Sequence, residues 1–247
     1  MCGRFSLTAS PDEVKALFDY IEMPNFPARY NIVPTQPIAT VCRDSGQRRF
    51  RLMRWGLIPS WVKDPSSFTL LINARSETAA DKPSFRASMR HHRCLVPASG
   101  FYEWRRTPEG KQPFWIAPAD GGIMAIAGLW NTWSDPDGGD MDTAALLTTQ
   151  ANAAISEIHH RMPVIIKPEN FDDWLDTGNV MVKDVVPLMS PIEGDYLTAV
   201  PVSDRVNKVA NDDADLQVKV AVSEASATSD TSRNSRKAAK TDQLDLF

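Results

Sequence analysis

The sequence predicts an α+β fold, in which many strands are joined by helices that do not alternate with them regularly. Three observations lead to this fold class. Short segments of alternating or continuous apolar residues are frequent, a few segments have helical apolar spacing, and no internal repeat is visible. With 247 residues and a hydrophobic fraction of 43%, the chain has enough apolar side chains for one substantial core or two small ones.

Four helices are expected from capping signals and from the spacing of apolar residues. The first begins at Ser10, which proline and Glu13 follow in the order of a capping box, and its apolar positions run to Ile21. The third should stop before Pro163, because a residue that precedes proline avoids the helical conformation. The last should turn Trp174 inward. The predicted helices cover residues 10–21, 84–91, 151–159 and 168–178.

The expected strands are bounded by turn and loop signals. A proline-rich loop covers residues 23–37, and a glycine-containing turn at 44–47 joins the first two strands into a hairpin. The segment 73–75 follows an apolar run, and if it is extended its first and third side chains would lie on one face. The predicted strands cover residues 38–43, 48–55, 93–104, 112–118, 123–130 and 143–149.

Charge and cysteine usage limit the class of protein. The net charge of -4 does not indicate a nucleic-acid-binding protein, although a local basic face can still bind phosphate. Cys2, Cys42 and Cys94 lack the spacing of a metal site, and an odd count without a signal sequence favours a reducing compartment. Cys42 and Cys94 are interpreted as core residues on strands. No run of eighteen apolar residues occurs, so we expect a cytoplasmic protein with no membrane partner.

The N-terminus carries a residue with unusual chemistry. Removal of Met1 would leave Cys2 with a free α-amine next to its thiol, and such a 1,2-aminothiol condenses with aldehydes. The two groups titrate at about 8 and about 8.5 in model peptides, so both would be partly reactive near neutrality. The alternative is a disordered terminus whose cysteine is incidental.

Further polar residues stand out in apolar surroundings. Asn73 and Arg75 share one face of an extended segment, and Glu103 lies among aromatic residues, where a carboxyl group could exchange protons near neutrality. Structural alternatives exist for each: Asn73 could cap a turn, and Glu103 could pair with Arg105. We expect His159 at a helix C-terminus, where the helix dipole favours an imidazolium, although a buried, hydrogen-bonded histidine is an alternative.

Taken together, these segments resemble the SOS response-associated peptidase (SRAP) family. The N-terminal Met-Cys-Gly-Arg-Phe and the His-x-Arg-Met-Pro element that begins at His159 are two of the motifs that carry the resemblance. The match extends over roughly residues 2–220, with the motifs in the family's order. The motifs occupy residues 1–5, 29–36, 54–61, 73–77, 94–104, 128–130 and 159–163.

The resemblance implies a fold and an activity. The fold would be a single domain over residues 1–222, with a mostly antiparallel, barrel-like sheet core flanked by helices. The activity would be the shielding of abasic sites in DNA through a covalent thiazolidine between Cys2 and the ring-opened deoxyribose. Asn73 would orient the terminal amine, while Glu103 and His159 would handle protons. The motif selects His159 over the adjacent His160, and no metal or cofactor is required.

The resemblance also implies a DNA surface. Arg4, Arg75 and Arg161 would hold phosphates, and Trp104 would stack on bases. The partner would be single-stranded or junction DNA that contains abasic sites, bound by a monomer near the nucleoid. Two groups of arginines could contribute, and the sequence does not say which of them do, since a solvated protein face is the alternative for both. The groups are Arg43, Arg48, Arg49, Arg51 and Arg54, and Arg86, Arg90, Arg93, Arg105 and Arg106.

The chain ends in a segment of different composition. Residues 223–242 contain no aromatic side chain, and we expect a disordered tether there. The last five residues resemble the motif by which bacterial repair proteins dock on the DNA sliding clamp, with apolar anchors at the end of a polar segment. A chance match is the alternative. The anchoring residues would be Gln243, Leu244, Leu246 and Phe247.

Two other functions compete with this interpretation. An N-terminal-cysteine hydrolase could use Cys2, Glu103 and His159 to cleave peptides, and its mildest form would be self-removal of Met1 without further turnover. Such an enzyme does not need single-strand-binding residues. A non-catalytic adaptor that binds DNA and the clamp would not need Cys2 or Glu103.

Overall fold

The computed structural model describes residues 2–108, 110–135 and 138–221. The predicted tether at 223–242 and the C-terminal pentapeptide lie outside the described residues. The strands are β1 Phe5–Leu7, β2 Arg29–Ile32, β3 Pro37–Asp44, β4 Gln47–Trp55, β5 Asn73–Arg75, β6 Arg93–Ala98, β7 Gly100–Thr107, β8 Gly110–Pro118, β9 Met124–Ser134, β10 Asp140–Gln150, β11 Arg161–Pro163, β12 Ile165–Ile166 and β13 Leu197–Pro201.

The helices are short and lie around the strands. The α-helices are α1 Pro11–Phe18, α2 Arg86–His91, α3 Ala153–Ser156, α4 Phe171–Leu175 and α5 Val182–Val185. The 3₁₀ helices are Pro168–Asn170, Val186–Met189, Gly194–Tyr196, Asp204–Asn207 and Ala214–Gln217. None of the helices in the described part of the chain is long and apolar enough to span a membrane.

Five strands close into a barrel. The ring runs β10–β4–β3–β6–β9 and returns to β10, and every pairing in it is antiparallel except the one between β10 and β4. Closure gives each of these strands two neighbours, which leaves no free edge within the ring. Its interior is apolar, and Cys42 and Cys94 face each other there as buried cross-strand partners, as predicted for core residues. The predicted α+β class with a barrel-like core is confirmed.

A second, antiparallel sheet carries the N-terminus. Its strand order is β13–β8–β7–β1–β2, and β1 pairs with β7 through Phe5 and Phe101. The prediction of one strand over 93–104 is wrong, because the chain passes from the barrel to this sheet at Ser99. The Ser99 hydroxyl accepts hydrogen bonds from the backbone N–H groups of Thr8 at 2.9 Å and Ala9 at 3.3 Å. Apolar residues on both sides of Ser99 conceal this break from periodicity.

The first helix shows where local signals are sufficient. The capping box between Ser10 and Glu13 forms as predicted, and Val14 and Phe18 are buried. The helix ends at Phe18 because Asp19 adopts a left-handed conformation with φ of 51°. Ile21 therefore lies beyond the helix and is 49% exposed, so the predicted extension of the helix to this residue is wrong.

The predicted helix over 151–159 is also wrong in length. Asn152 caps a helix that continues only to Ser156. The chain then has to return at once, because β11 pairs with β10 through Arg161 and Gln150. His159 consequently lies in the loop before β11 and not at a helix C-terminus. By contrast, the prediction that Trp174 is turned inward is confirmed, since it is completely buried.

Candidate active site around Cys2

Cys2 lies just before β1 and is completely buried. Its Sγ is 3.8 Å from the carbonyl oxygen of Arg4. Burial, and after it the negative charge of Glu103, raises the pKa of the Cys2 thiol to about 12. The sequence-based expectation of a partly ionised thiol is therefore wrong for this structure, because the terminus is folded into the core instead of lying in solvent.

Asn73 holds Cys2 in place from the barrel. It begins β5, which runs parallel to β10 beside the barrel. The Asn73 side-chain amide donates a 2.8 Å hydrogen bond to the carbonyl oxygen of Cys2. Its own Oδ1 is buried and has no hydrogen-bond partner among the described residues. An acceptor thus remains available beside the N-terminal residue.

Glu103 and His159, the pair expected to act as acid and base, lie next to each other. Glu103 on β7 is 3% exposed, and its Oε1 lies 3.7 Å from Nδ1 of His159. The backbone N–H of Arg161 donates to the same Nδ1 at 3.0 Å, which fixes the orientation of the ring. Arg105, the alternative partner for Glu103, instead lies over the ring of Phe114 at 4.9 Å.

The adjacent histidine occupies a different position. The ring of His160 lies 4.4 Å from that of His159, and the charge of His159 lowers the pKa of His160. His160 is exposed, whereas the side chain of His159 is 19% exposed. The structure thus brings Nδ1 of His159 to within 3.7 Å of Glu103, whereas the assignment of His159 as the catalytic histidine stays a prediction.

Arg4 and Trp104 contact each other, and each is held by residues that the sequence did not single out. The Arg4 guanidinium lies 5.8 Å from the Trp104 ring centroid. It donates to Oδ1 of Asn31 at 3.0 Å and to the carbonyl oxygen of Val206. Trp104 donates through Nε1 to Oδ1 of Asn207 at 3.0 Å. The only sequence signal for Asn31 was its presence in the motif at 29–36.

The two other arginines assigned to DNA differ in accessibility. Arg75 is exposed at the end of β5. Arg161 is 7% exposed, and its guanidinium forms an ion pair with Glu77 and donates to the carbonyl oxygen of Thr148. Binding to Arg161 lowers the pKa of Glu77. The structure therefore corrects the accessibility expected of Arg161, because its guanidinium is used to hold β11 against β10.

A cleft of about 780 Å³ opens beside the acid–base pair. Its size is that of a small-molecule or nucleotide site. Three basic side chains are part of its wall. The lining residues are Glu103, Trp104, Arg105, Arg106, Lys111, Ser156, Glu157, Ile158, His159, His160 and Asn207. Within the described ranges, no group of three or more histidine, cysteine, aspartate or glutamate residues could hold a metal ion.

Comparison with known proteins decides the family. The sequence matches the SOS response associated peptidase (SRAP) family over residues 1–209. The chain belongs to the SRAP family. Among its SRAP relatives, the abasic site processing protein YoqW of Bacillus subtilis is 37% identical over 220 residues, which cover 87% of this chain and 98% of YoqW. The abasic site processing protein HMCES of Xenopus tropicalis is 33% identical over 256 residues, with coverage of 85% and 76%.

Solved structures share the fold of this chain. A crystal structure of a protein from Bacteroides thetaiotaomicron matches with a TM-score of 0.81 and 25% identity, and covers 89% of this chain and 100% of its own. A second, from Bordetella bronchiseptica, matches with a TM-score of 0.72 and 26% identity over 82% of this chain and all of its own. The fold shared with the Bacteroides thetaiotaomicron protein thus extends through nearly all of the described residues.

Proposed function

We propose that the mature chain begins at Cys2 and binds covalently to abasic sites in single-stranded DNA through a thiazolidine. The names of the relatives support processing of abasic sites. The proposal of a covalent thiazolidine depends on the position of Cys2. Asn73 holds its carbonyl oxygen at 2.8 Å, and Glu103 lies close enough for its negative charge to raise the pKa of the Cys2 thiol. A nucleophile, an orienting amide and a carboxyl group meet at one buried terminus.

The first step is attack of the Cys2 α-amine on C1′ of the ring-opened sugar. Loss of Met1 by hydrolysis frees this amine, and the open Oδ1 of Asn73 is placed to accept one of its hydrogens. The carbinolamine loses water to give an imine, and the departing oxygen needs a proton, which Glu103 supplies. His159, 3.7 Å from Glu103, would exchange that proton with the cleft.

The second step closes the ring. The Cys2 sulfur adds to the imine carbon, so that a C–S bond forms while the C=N bond becomes single. Because its pKa is about 12, the sulfur enters as a thiol, and its proton has to leave as the bond forms. Glu103 can accept this proton and return it to the nitrogen. The net change is loss of one water, with no oxidant or cofactor.

The proposed partner is single-stranded or junction DNA, in the cytoplasm and close to the nucleoid. A nucleophile in the protein core can reach C1′ only if the nucleotide leaves a base stack. Trp104, held by Asn207 at the mouth of the cleft, is placed to stack on a neighbouring base. Trp104→Ala should then weaken binding by about 1–3 kcal/mol. Similar affinity for duplex and single strands would contradict the proposal.

Intact mass spectrometry tests the covalent proposal. Wild-type protein incubated with an oligonucleotide that has one abasic site should gain the mass of that DNA, less one water. Cys2→Ala should abolish the stable adduct, and Cys2→Ser should leave an imine that only borohydride traps. A heat-stable adduct with Cys2→Ala would overturn the assignment of the nucleophile.

Removal of Met1 by the protein itself is a second proposed activity. The family name refers to a peptidase, and the groups beside Cys2 are those that a cysteine nucleophile needs for one hydrolytic event. Translation in a system without methionine aminopeptidase should still yield chains that begin at Cys2. Glu103→Gln should retain Met1 there, and chains that retain Met1 in the wild type would exclude self-processing.

The C-terminal pentapeptide is proposed to dock on the replication clamp. This proposal rests on the sequence alone, because residues 243–247 lie outside the described part of the structure. A flexible tether of about twenty residues spans on the order of 25 Å, which would raise the local concentration of the catalytic domain at clamp-bound DNA.

A further inference from the structure

The β7–β8 hairpin carries cations that the reaction does not use. Arg105, Arg106 and Lys111 form one wall of the cleft that contains Glu103 and His159. Within the described residues, none of the three takes part in an ion pair. The segment 105–111 carries one carboxyl residue, Glu109, which the structure does not describe, so the segment has a net charge of +2 in the sequence.

The other group of arginines behaves differently. Arg43 lies 3.6 Å from Asp176, and Arg48 lies 2.9 Å from Asp172. Arg51 binds Asp44 at 2.9 Å. Carboxylates of the protein thus pair with Arg43, Arg48 and Arg51, whereas the hairpin cations are left for an anion from outside.

The register of the hairpin places two of these cations against each other. Arg106 is the direct cross-strand partner of Lys111. The backbone N–H of Tyr102 points away from β8, toward the carbonyl oxygen of Arg4. Because this orientation repeats at every second residue of a strand, the N–H of Arg106 also points away from β8. Arg106 and Lys111 therefore form a non-hydrogen-bonded pair. Side chains are closest in such pairs, and like charges there are destabilising. A destabilising pair of like charges next to a candidate active site is typical of a binding surface.

The same strand has an open edge toward the cleft. β1 pairs with β7 only at Gly100 and Phe101, and no described strand covers the outer edge of β7 from Glu103 onward. By the same alternation, the backbone N–H groups of Trp104 and Arg106 are directed to this open edge. Backbone N–H groups next to unpaired cations suit phosphate oxygens.

We infer that the hairpin is a second phosphate-binding surface, formed by Arg106, Lys111 and the open edge of β7. It binds the part of the DNA strand that extends from one side of the abasic nucleotide. The inference rests on the proposed function, since it takes the reacting nucleotide to lie at Glu103 and His159. The hairpin binds the backbone of the flanking nucleotides and takes no part in the covalent step.

Binding is tested with single strands of about twenty nucleotides that carry a stable abasic analogue without an aldehyde. Arg106→Ala/Lys111→Ala should weaken binding at low salt and reduce the slope of log affinity against log salt by about 1.4, at about 0.7 for each phosphate contact. Strands shortened from one end should lose affinity for the wild type but not for this variant. Arg43→Ala/Lys167→Ala, which removes the same charge outside the cleft, is the matched control.

A separate measurement distinguishes this inference from the proposed function. At saturating DNA with a reactive abasic site, the double variant should form the adduct at the wild-type rate, and its thermal midpoint should be unchanged or higher because a like-charge pair is relieved. The inference would be overturned if the double variant kept the salt slope and the length dependence of the wild type. An equal loss of affinity in the control variant would also overturn it. So would a slow adduct step at saturation, or a lower thermal midpoint. Absence of any adduct in the wild type would instead refute the proposed function.

Discussion

The Cys2 thiol provides a prediction in which one substitution has two opposite effects. Burial is the larger cause of its raised pKa, and the charge of Glu103 is the second. Glu103→Gln keeps the size of the side chain but removes the charge. The thiol pKa should therefore fall from about 12 without reaching the ordinary value of 9.0, because burial is unchanged.

The expected change in the alkylation rate of Cys2 follows from these two pKa values. A pKa of about 12 in place of 9.0 lowers the thiolate fraction near neutrality by about 10³-fold, since each pKa unit is tenfold. Wild-type Cys2 should therefore react with a small alkylating reagent at least about 10³-fold more slowly than an exposed thiol, and its rate should still rise with pH above 9. Glu103→Gln should accelerate this alkylation by less than that factor. The same substitution should slow adduct formation with abasic DNA by about 10²-fold or more, because a proton donor is lost.

Peptide mapping by mass spectrometry measures the labelling of each cysteine at a series of pH values. Cys42 and Cys94, both buried in the barrel, serve as internal references whose labelling should not respond to Glu103→Gln. Wild-type Cys2 that labels as fast as an exposed thiol would refute the reasoning. So would a Glu103→Gln protein in which alkylation slows or adduct formation keeps its rate.

Further substitutions test other parts of the proposal. His159→Ala should slow adduct formation by about 10²-fold at saturating DNA, and His160→Ala by less than tenfold, as measured by quenched time courses; a larger defect at His160 would reverse the assignment. Arg75→Ala should weaken single-strand binding and reduce its salt slope by about 0.7, and an unchanged slope would remove it from the DNA surface. Glu77, whose folded pKa is lowered, should stabilise the protein above its unfolded pKa of about 4.3 and lose that contribution as pH falls through the folded value. Glu77→Gln should therefore cost about 1 kcal/mol in urea unfolding at pH 7, discounted because the carboxylate is 43% exposed, and less at pH 3. Deletion of residues 243–247 should abolish clamp binding in a pull-down without changing adduct formation on free oligonucleotides, and normal clamp binding by the truncated chain would show the motif to be coincidental.

Local signals were sufficient wherever neighbouring residues determine the conformation. The helix that starts after Ser10 and the hairpin between β3 and β4 are examples, and in that hairpin Ser45 and Gly46 adopt φ values of 49° and 81° as a tight turn requires. The residue types that the structure brings around Cys2 could also be selected from the sequence. Strands such as β1 and β11, with three residues each, were too short for their periodicity to identify them without their partners.

Contacts between distant segments decided the rest. Asn73 meets Cys2 across 71 residues. The Cys2 thiol, which the sequence suggested would be accessible, is buried in the folded chain. The ion pair that draws Arg161 inward joins residues that are 84 positions apart. Sequence alone therefore supplied the residue types of the candidate site and the family. Their protonation and accessibility depend on the low polarity and the charges of an interior assembled from both sheets, and these exist only once the chain has folded.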